Sequence, residues 1–327
     1  VITDHELPRV QPPATKINPF IGSIATATSL DGLCGSWFLS PETFLIDHTP
    51  IPMPPNFKAS DLDRFIQLLL GWLKTWVLTG SNLFIHHQLY DDRFPICLQI
   101  AFTTVLSYFG KTTETSGLIL RALNARAAEL VADIEAVWTD TMDIVDMLAR
   151  VQSLLVYQVI GLLDGDLRSR YLAEQRSTLL VNLLGKVLDK ASATLSHDLL
   201  ASELHGISRT HPTSASYVER EWRAWVISES VRRTWLLGTG FNSAYDGLTT
   251  GWTSCGGDLM CTTRNGLWGA KTWYDWSKLC MEADVRFVGR FRAEWLFDVP
   301  PDEVDDFVKM LLDVTYGKDR TSMWLCR

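Results

Sequence analysis

The sequence predicts an all-α protein: a multi-helix array with an extended, Pro-rich N-terminal arm and a small hairpin. Three observations carry this. Apolar residues recur at three- and four-residue spacing from about position 60 onward. Period-2 alternation, the mark of half-buried strands, is scarce. A composition that is 46% hydrophobic, with 13 Trp and 14 Phe in 327 residues, supplies ample material for one large core.

Residues 1–60 read as the arm, because most of the 13 prolines fall there and proline fixes φ while removing an N–H donor. Residues 61–327 read as a single all-helical domain, with no Gly-, Ser- or charge-rich seam inside it. Its first helix is marked by Phe65, Ile66, Leu69, Leu73, Trp76 and Val77. Further helical stripes cover about 94–109, 117–138, 141–163, 166–192, 216–246 and 271–296. A last helix is expected over 301–316, with Pro301 in its first turn, Asp302, Glu303, Asp305 and Asp306 at its positive end, and Gly317 at its close. The Gly- and Thr-rich stretch DGLTTGWTSCGGDLMCTTRNGLWGA reads as a long loop or a hairpin near 250–264.

The formal net charge of −8 argues against DNA binding by this chain alone, since phosphate recognition needs clustered Lys and Arg. The six cysteines, at 34, 97, 255, 261, 280 and 326, form no C-x-x-C pair, so neither a metal nor a cofactor is expected. The runs FIQLLLGWLKTWVL and LLVYQVIGLL fall short of the roughly 18 to 20 apolar residues of a membrane span, and no membrane partner is expected. The N-terminus lacks the basic start and apolar centre of a signal peptide.

Catalytic motifs are weak. HHQLYDD at 86–92 has the spacing of an HHxxxD acyl-transfer motif, but Asp92 stands where a glycine belongs, and a polar helix–helix turn is the better reading. Tyr274 and Lys278 match a Y-x-x-x-K reductase pair, yet no G-x-G-x-x-G follows a strand to hold a nicotinamide. No G-x-S-x-G is present, and the acidic stretches DDRFP and DEVDDF are poor matches to a metal motif.

The densest stretch is EREWRAWVISESVRRTWLLG at 219–238. On a helix, Trp222, Trp225 and Val226, with Trp235 and Leu236, trace an apolar face, while Glu229 stands three and four residues from Arg232 and Arg233 at ion-pair spacing. The plain reading is a central core helix whose arginines hold neighbouring helices by fork-shaped hydrogen bonds.

This stretch, together with SWFLSPETF (36–44), LWGAKTWYDW (267–276) and PPDEVDDFVKMLLDVTYGKD (300–319), resembles the regulatory, middle-homology-like region of fungal zinc binuclear cluster transcription factors. The most specific element is W-x-x-W-x-x-x-E-S-x-R-R-T-W. The resemblance implies an all-helical regulatory body in the nucleus or cytoplasm that follows a six-cysteine DNA-binding cluster, often with a coiled coil between them. This chain shows neither the C-x-x-C spacing nor a heptad run before residue 60, so it reads as a regulatory, ligand-sensing domain without the DNA-binding cluster. The alternative is a homologue repurposed as an enzyme on a natural-product intermediate in secondary metabolism. A sensing body needs an aromatic cavity, for which Trp222, Trp225, Glu229, Arg232, Arg233, Trp235, Trp268 and Trp273 are the candidate walls. A small hydrophobic metabolite or a co-regulator protein is the expected partner, along with a second copy in a homodimer.

Overall fold

The computed structural model describes residues 37–48, 59–194, 214–251, 253, 256–282 and 285–327. Those residues contain nine α-helices: α1 (Ala59–Thr79), α2 (Ile96–Phe109), α3 (Ser116–Val137), α4 (Ile144–Leu163), α5 (Leu167–Thr194), α6 (Ser214–Thr250), α7 (Trp273–Glu282), α8 (Asp306–Tyr316) and α9 (Lys318–Leu325). The fold is all-α, as the apolar periodicity requires. Phe65, Leu69, Leu73 and Trp76 of α1 all turn into the core, as their three- and four-residue spacing dictates.

Helix α4 is the hub of the first half. It is long and apolar enough to cross a membrane by length and composition, which the sequence runs taken alone understate, but 83% of its apolar window is buried inside the protein. Its polar residues are satisfied there. Gln152 accepts from the Tyr90 hydroxyl at 2.7 Å and donates to the Phe84 carbonyl at 2.9 Å, while Gln158 donates to the Ala173 carbonyl at 2.8 Å. Helix α5 crosses α4 closely because Gly161 offers no side chain: a Cβ there would stand 2.9 Å from that of Ala173.

Helix α6 runs through the middle of the molecule. Its 37 residues span roughly 55 Å at 1.5 Å per residue, and every residue from Ser228 to Thr239 is buried. It therefore has no solvent face at its centre, and the apolar face read from the sequence is only part of its buried circumference. Gly238 lets α5 approach, since a Cβ there would collide with Leu184.

Four sequence expectations are corrected. The helix over 271–296 stops at Glu282, and the chain then forms a strand, β2 (Phe287–Val288), and two 3₁₀ turns, Arg290–Arg292 and Glu294–Asp298. The cause is the buried Asp258 carboxylate, which accepts from the backbone N–H groups of Arg290 (3.0 Å) and Phe291 (3.1 Å) and leaves no room for a Cβ at Gly289. Second, the hairpin near 250–264 is not local: β1 (Cys261–Thr262) pairs antiparallel with β2, Cys261 opposite Val288 and Thr262 opposite Phe287. Third, Pro301 opens a 3₁₀ turn, Pro301–Glu303, rather than the helix; α8 starts after Asp305, whose carboxylate caps it by accepting from Phe307 N–H at 2.9 Å. Fourth, Gly317, at φ 86°, closes α8 but leads directly into α9, which the buried Trp324 anchors by donating Nε1–H to the Val299 carbonyl at 2.8 Å.

Of the arm expected over residues 1–60, residues 1–36 and 49–58 lie outside the described residues, as does Cys255 of the loop. Residues 37–48 form two 3₁₀ turns, Trp37–Leu39 and Pro41–Phe44, and lie across the centre of α6 as a strap. Phe38, Leu39 and Phe44 are buried, and Asp47 exchanges two backbone hydrogen bonds of 2.8 Å with Asp258.

Gly161→Leu should overpack the α4–α5 contact and destabilise the protein by about 1 to 3 kcal/mol. A lowered urea midpoint with unchanged slope checks it.

Candidate functional site

One turn of α6 carries three fully buried charges: Glu229, Arg232 and Arg233 are each 0% exposed. Helical spacing alone sets Arg233 Nε 3.0 Å from Glu229 Oε1 and Arg232 Nη1 3.4 Å from Glu229 Oε2. The remaining partners come from distant parts of the chain. Arg232 donates to the Phe38 carbonyl, to the Thr43 carbonyl at 3.2 Å and to Thr43 Oγ1 at 2.8 Å, all on the strap. Arg233 Nη2 lies 3.0 Å from Asp305 Oδ1 at the N-terminus of α8, and its Nη1 donates to the Leu83 carbonyl at 3.3 Å. Glu229 Oε1 accepts from both N–H and Oγ1–H of Thr262, at 3.1 and 2.7 Å.

Two carboxylates thus face two guanidinia, and the formal charge cancels. Burial pushes Arg232 down to about 10, partly opposed by Glu229, which still leaves it a cation at neutral pH. Burial works against the Arg233 charge too, yet Asp305 and Glu229 outweigh it and hold that guanidinium above its ordinary value. Aromatic faces cover the rest of both groups. Arg232 lies over Phe44 (4.5 Å) and Phe287 (4.9 Å), and Arg233 over Trp268 (4.1 Å) and Phe307 (5.0 Å).

An aromatic cluster adjoins the charges. The His86 ring stacks on His87 at 4.3 Å and meets Trp268 edge-on at 4.7 Å; Trp222 and Trp225 stand at 6.5 and 6.4 Å. Trp225 packs on Trp276 at 5.8 Å, and Trp276 on Phe38 of the strap at 6.2 Å. Trp268 donates its Nε1–H to the Asn82 carbonyl at 2.8 Å. The indole N–H groups of Trp222, Trp225 and Trp276 are buried without a hydrogen-bond partner. His86 Nδ1 accepts from Gln88 N–H at 3.1 Å, which fixes the other nitrogen as the protonated one.

The structure gathers Trp222, Trp225, Glu229, Arg232, Arg233 and Trp268, among the candidate walls, into this one region. Trp235 is buried on α6, and Trp273 is half-buried at the start of α7 with its ring against Tyr274 at 6.1 Å. Sequence reasoning missed Thr43, Thr262, Asp305 and His86 as members of the site. Nothing in local spacing joins the first three to α6. HHQLYDD does lie between α1 and α2, but it is no polar turn: His86, Leu89 and Tyr90 are buried. Its Asp91 is exposed, and desolvation, the neighbouring His87 and Arg233 hold His86 well below its ordinary value. Tyr274 and Lys278 are exposed on α7, and Lys278 faces Glu282 at 3.6 Å. Among the described residues no group of three His, Cys, Asp or Glu could hold a metal ion.

Fold and site define a helical body closed around a neutral cluster of buried charges. Over 248 residues the chain is 26% identical to transcription factor gsfR2 of Penicillium aethiopicum, covering 75% of this chain and 57% of that protein. It is thus similar to a fungal transcription factor, and it spans little more than half that relative's length. No protein-family model and no solved structure matches it.

Asp305→Asn keeps an N-cap oxygen but removes a charge facing Arg233, so it should cost about 3 to 5 kcal/mol, with Asp305→Ala about 1 kcal/mol worse for the lost cap. Denaturant titration of both variants checks this. Because the folded state disfavours the charged form of His86, the unfolded state binds the extra proton as pH falls below the ordinary value of 6.5. Stability is therefore present above that pH and should fall below it by about 1.4 kcal/mol per pH unit, until the folded-state value is reached. His86→Phe should flatten that slope in urea titrations run from neutral to acidic pH.

Proposed function

We propose that this chain is the regulatory body of a fungal transcription regulator, acting in the nucleus, and that it senses a small hydrophobic metabolite or a co-regulator protein without reading DNA itself. The likeness to gsfR2 over three quarters of the chain is the observation that carries the reading. The charge pattern supports the second half. The two arginines of the central motif are fully buried and paired inside the protein, so they have no access to phosphates, and the surface belongs to a chain of net charge −8.

Sensing would work through the packing of α6. A ligand binding one arrangement of Trp222, Trp225, Trp235, Trp268 and Trp273 better than another shifts the population of helix packings. The unspent indole N–H groups of Trp222 and Trp225 support a polar contact there, since a ligand acceptor would satisfy donors that the protein leaves unmatched. Their near-complete burial means that such a ligand must move a neighbouring side chain to enter.

With the purified chain at about 150 mM salt, no sequence-dependent gel shift of duplex DNA is expected. Fused to an unrelated DNA-binding module, the same chain should change transcription of a reporter bearing that module's site. A specific gel shift by the chain alone, or a fusion no different from the bare module, would overturn the reading.

A further inference from the structure

Beside the β1–β2 pair, a cavity of about 210 Å³ opens against the segment that carries the 3₁₀ turn Glu294–Asp298. Arg264 and Arg286 both line it, with Trp295, Leu296 and Val299 as an apolar floor and the exposed Glu303 among its lining residues. The two guanidinia differ from those at the centre. Among the described residues neither is in an ion pair, and Arg264 Nε is buried with no hydrogen-bond partner. Arg286 lies over the Trp295 ring at 5.1 Å.

Other guanidinia near the strand pair have acidic partners: Arg232, Arg233 and Arg290 each face a carboxylate. Two guanidinia sharing one small cavity repel each other, and a buried N–H without an acceptor costs about 1 to 3 kcal/mol. An anion in the cavity relieves both.

We propose that this cavity is a binding site for a small organic anion, a carboxylate on a planar apolar body. The carboxylate accepts from the forked N–H groups of Arg264 and Arg286, while the body rests on Trp295, Leu296 and Val299. At about 210 Å³ the cavity lies below the roughly 300 to 1,000 Å³ of sites for drug-sized ligands, which limits the ligand to about one ring or a short chain. The site also touches the central cluster through the backbone: Asp305 N–H donates to the Thr263 carbonyl at 2.8 Å, and Thr262 binds Glu229. Occupancy therefore acts on the strand that closes the charge cluster. The inference rests on the cavity alone and stands apart from the transcriptional reading.

Calorimetric titration of the purified chain tests it, with benzoate as the probe and with benzyl alcohol and inorganic phosphate in parallel arms. Benzoate should bind with a dissociation constant below about 1 mM, and the neutral alcohol should not. Arg264→Gln and Arg286→Gln should each weaken benzoate binding at least about tenfold, and Arg286→Lys, which keeps the charge but loses the fork, by less. Circular dichroism and the urea midpoint of Arg286→Gln should match the parent, because its side chain is exposed and in no ion pair. Absence of benzoate binding, equal binding of the alcohol, binding unchanged in Arg286→Gln, or phosphate binding as tightly as benzoate would each overturn the assignment.

Discussion

The tertiary structure depends on one constraint: Glu229, Arg232 and Arg233 lie on a helix that has no access to water. Isolated buried charges carry desolvation penalties of several kcal/mol each, so each must be matched where it lies. Arg232 is matched by the strap at Phe38 and Thr43, Arg233 by Asp305 and Leu83, and Glu229 by Thr262. These five sites span the sequence from residue 38 to residue 305. The motif therefore works as a three-way fastener: it fixes where the strap, β1 and the start of α8 dock on α6. Apolar packing alone tolerates alternatives; a misdocked partner here leaves a charge uncompensated.

The aromatic residues around the fastener follow from the same constraint. Guanidinium planes lie well against ring faces, which exclude water while returning part of the lost solvation. Phe44, Phe287, Trp268 and Phe307 take that role, and each comes from a different segment. His86 completes the sheath as a neutral ring, its charged form disfavoured by burial and by Arg233.

Arg264 and Arg286 mark the contrast. They sit two residues beyond the fastener's Thr262 and beside Phe287 respectively, yet among the described residues neither is in an ion pair, although Glu303 lines the same cavity. The same short strand pair thus separates a region where charge is fully matched from one where it is open to a ligand. A signal received at the open side has a short covalent and hydrogen-bonded path to the closed side through Thr263 and Asp305.

Much of this was legible in the sequence. Three- and four-residue apolar spacing determined the all-α class and the positions of α1 to α6, because a helix buries one stripe whatever its neighbours are. The spacing of Glu229 to Arg232 and Arg233 likewise fixed their mutual ion pairs, since i,i+3 and i,i+4 neighbours meet on any helix. The end of α7 at Glu282, the pairing of β1 with β2 and the burial of HHQLYDD were decided by tertiary contacts instead: Asp258 capturing the backbone at Arg290 and Phe291, and Trp268 packing on His86. Which segments matched the two arginines was also a tertiary matter. Thr43 and Asp305 lie 189 and 72 residues from their partners Arg232 and Arg233, and no local periodicity registers a contact that only the packed chain brings together.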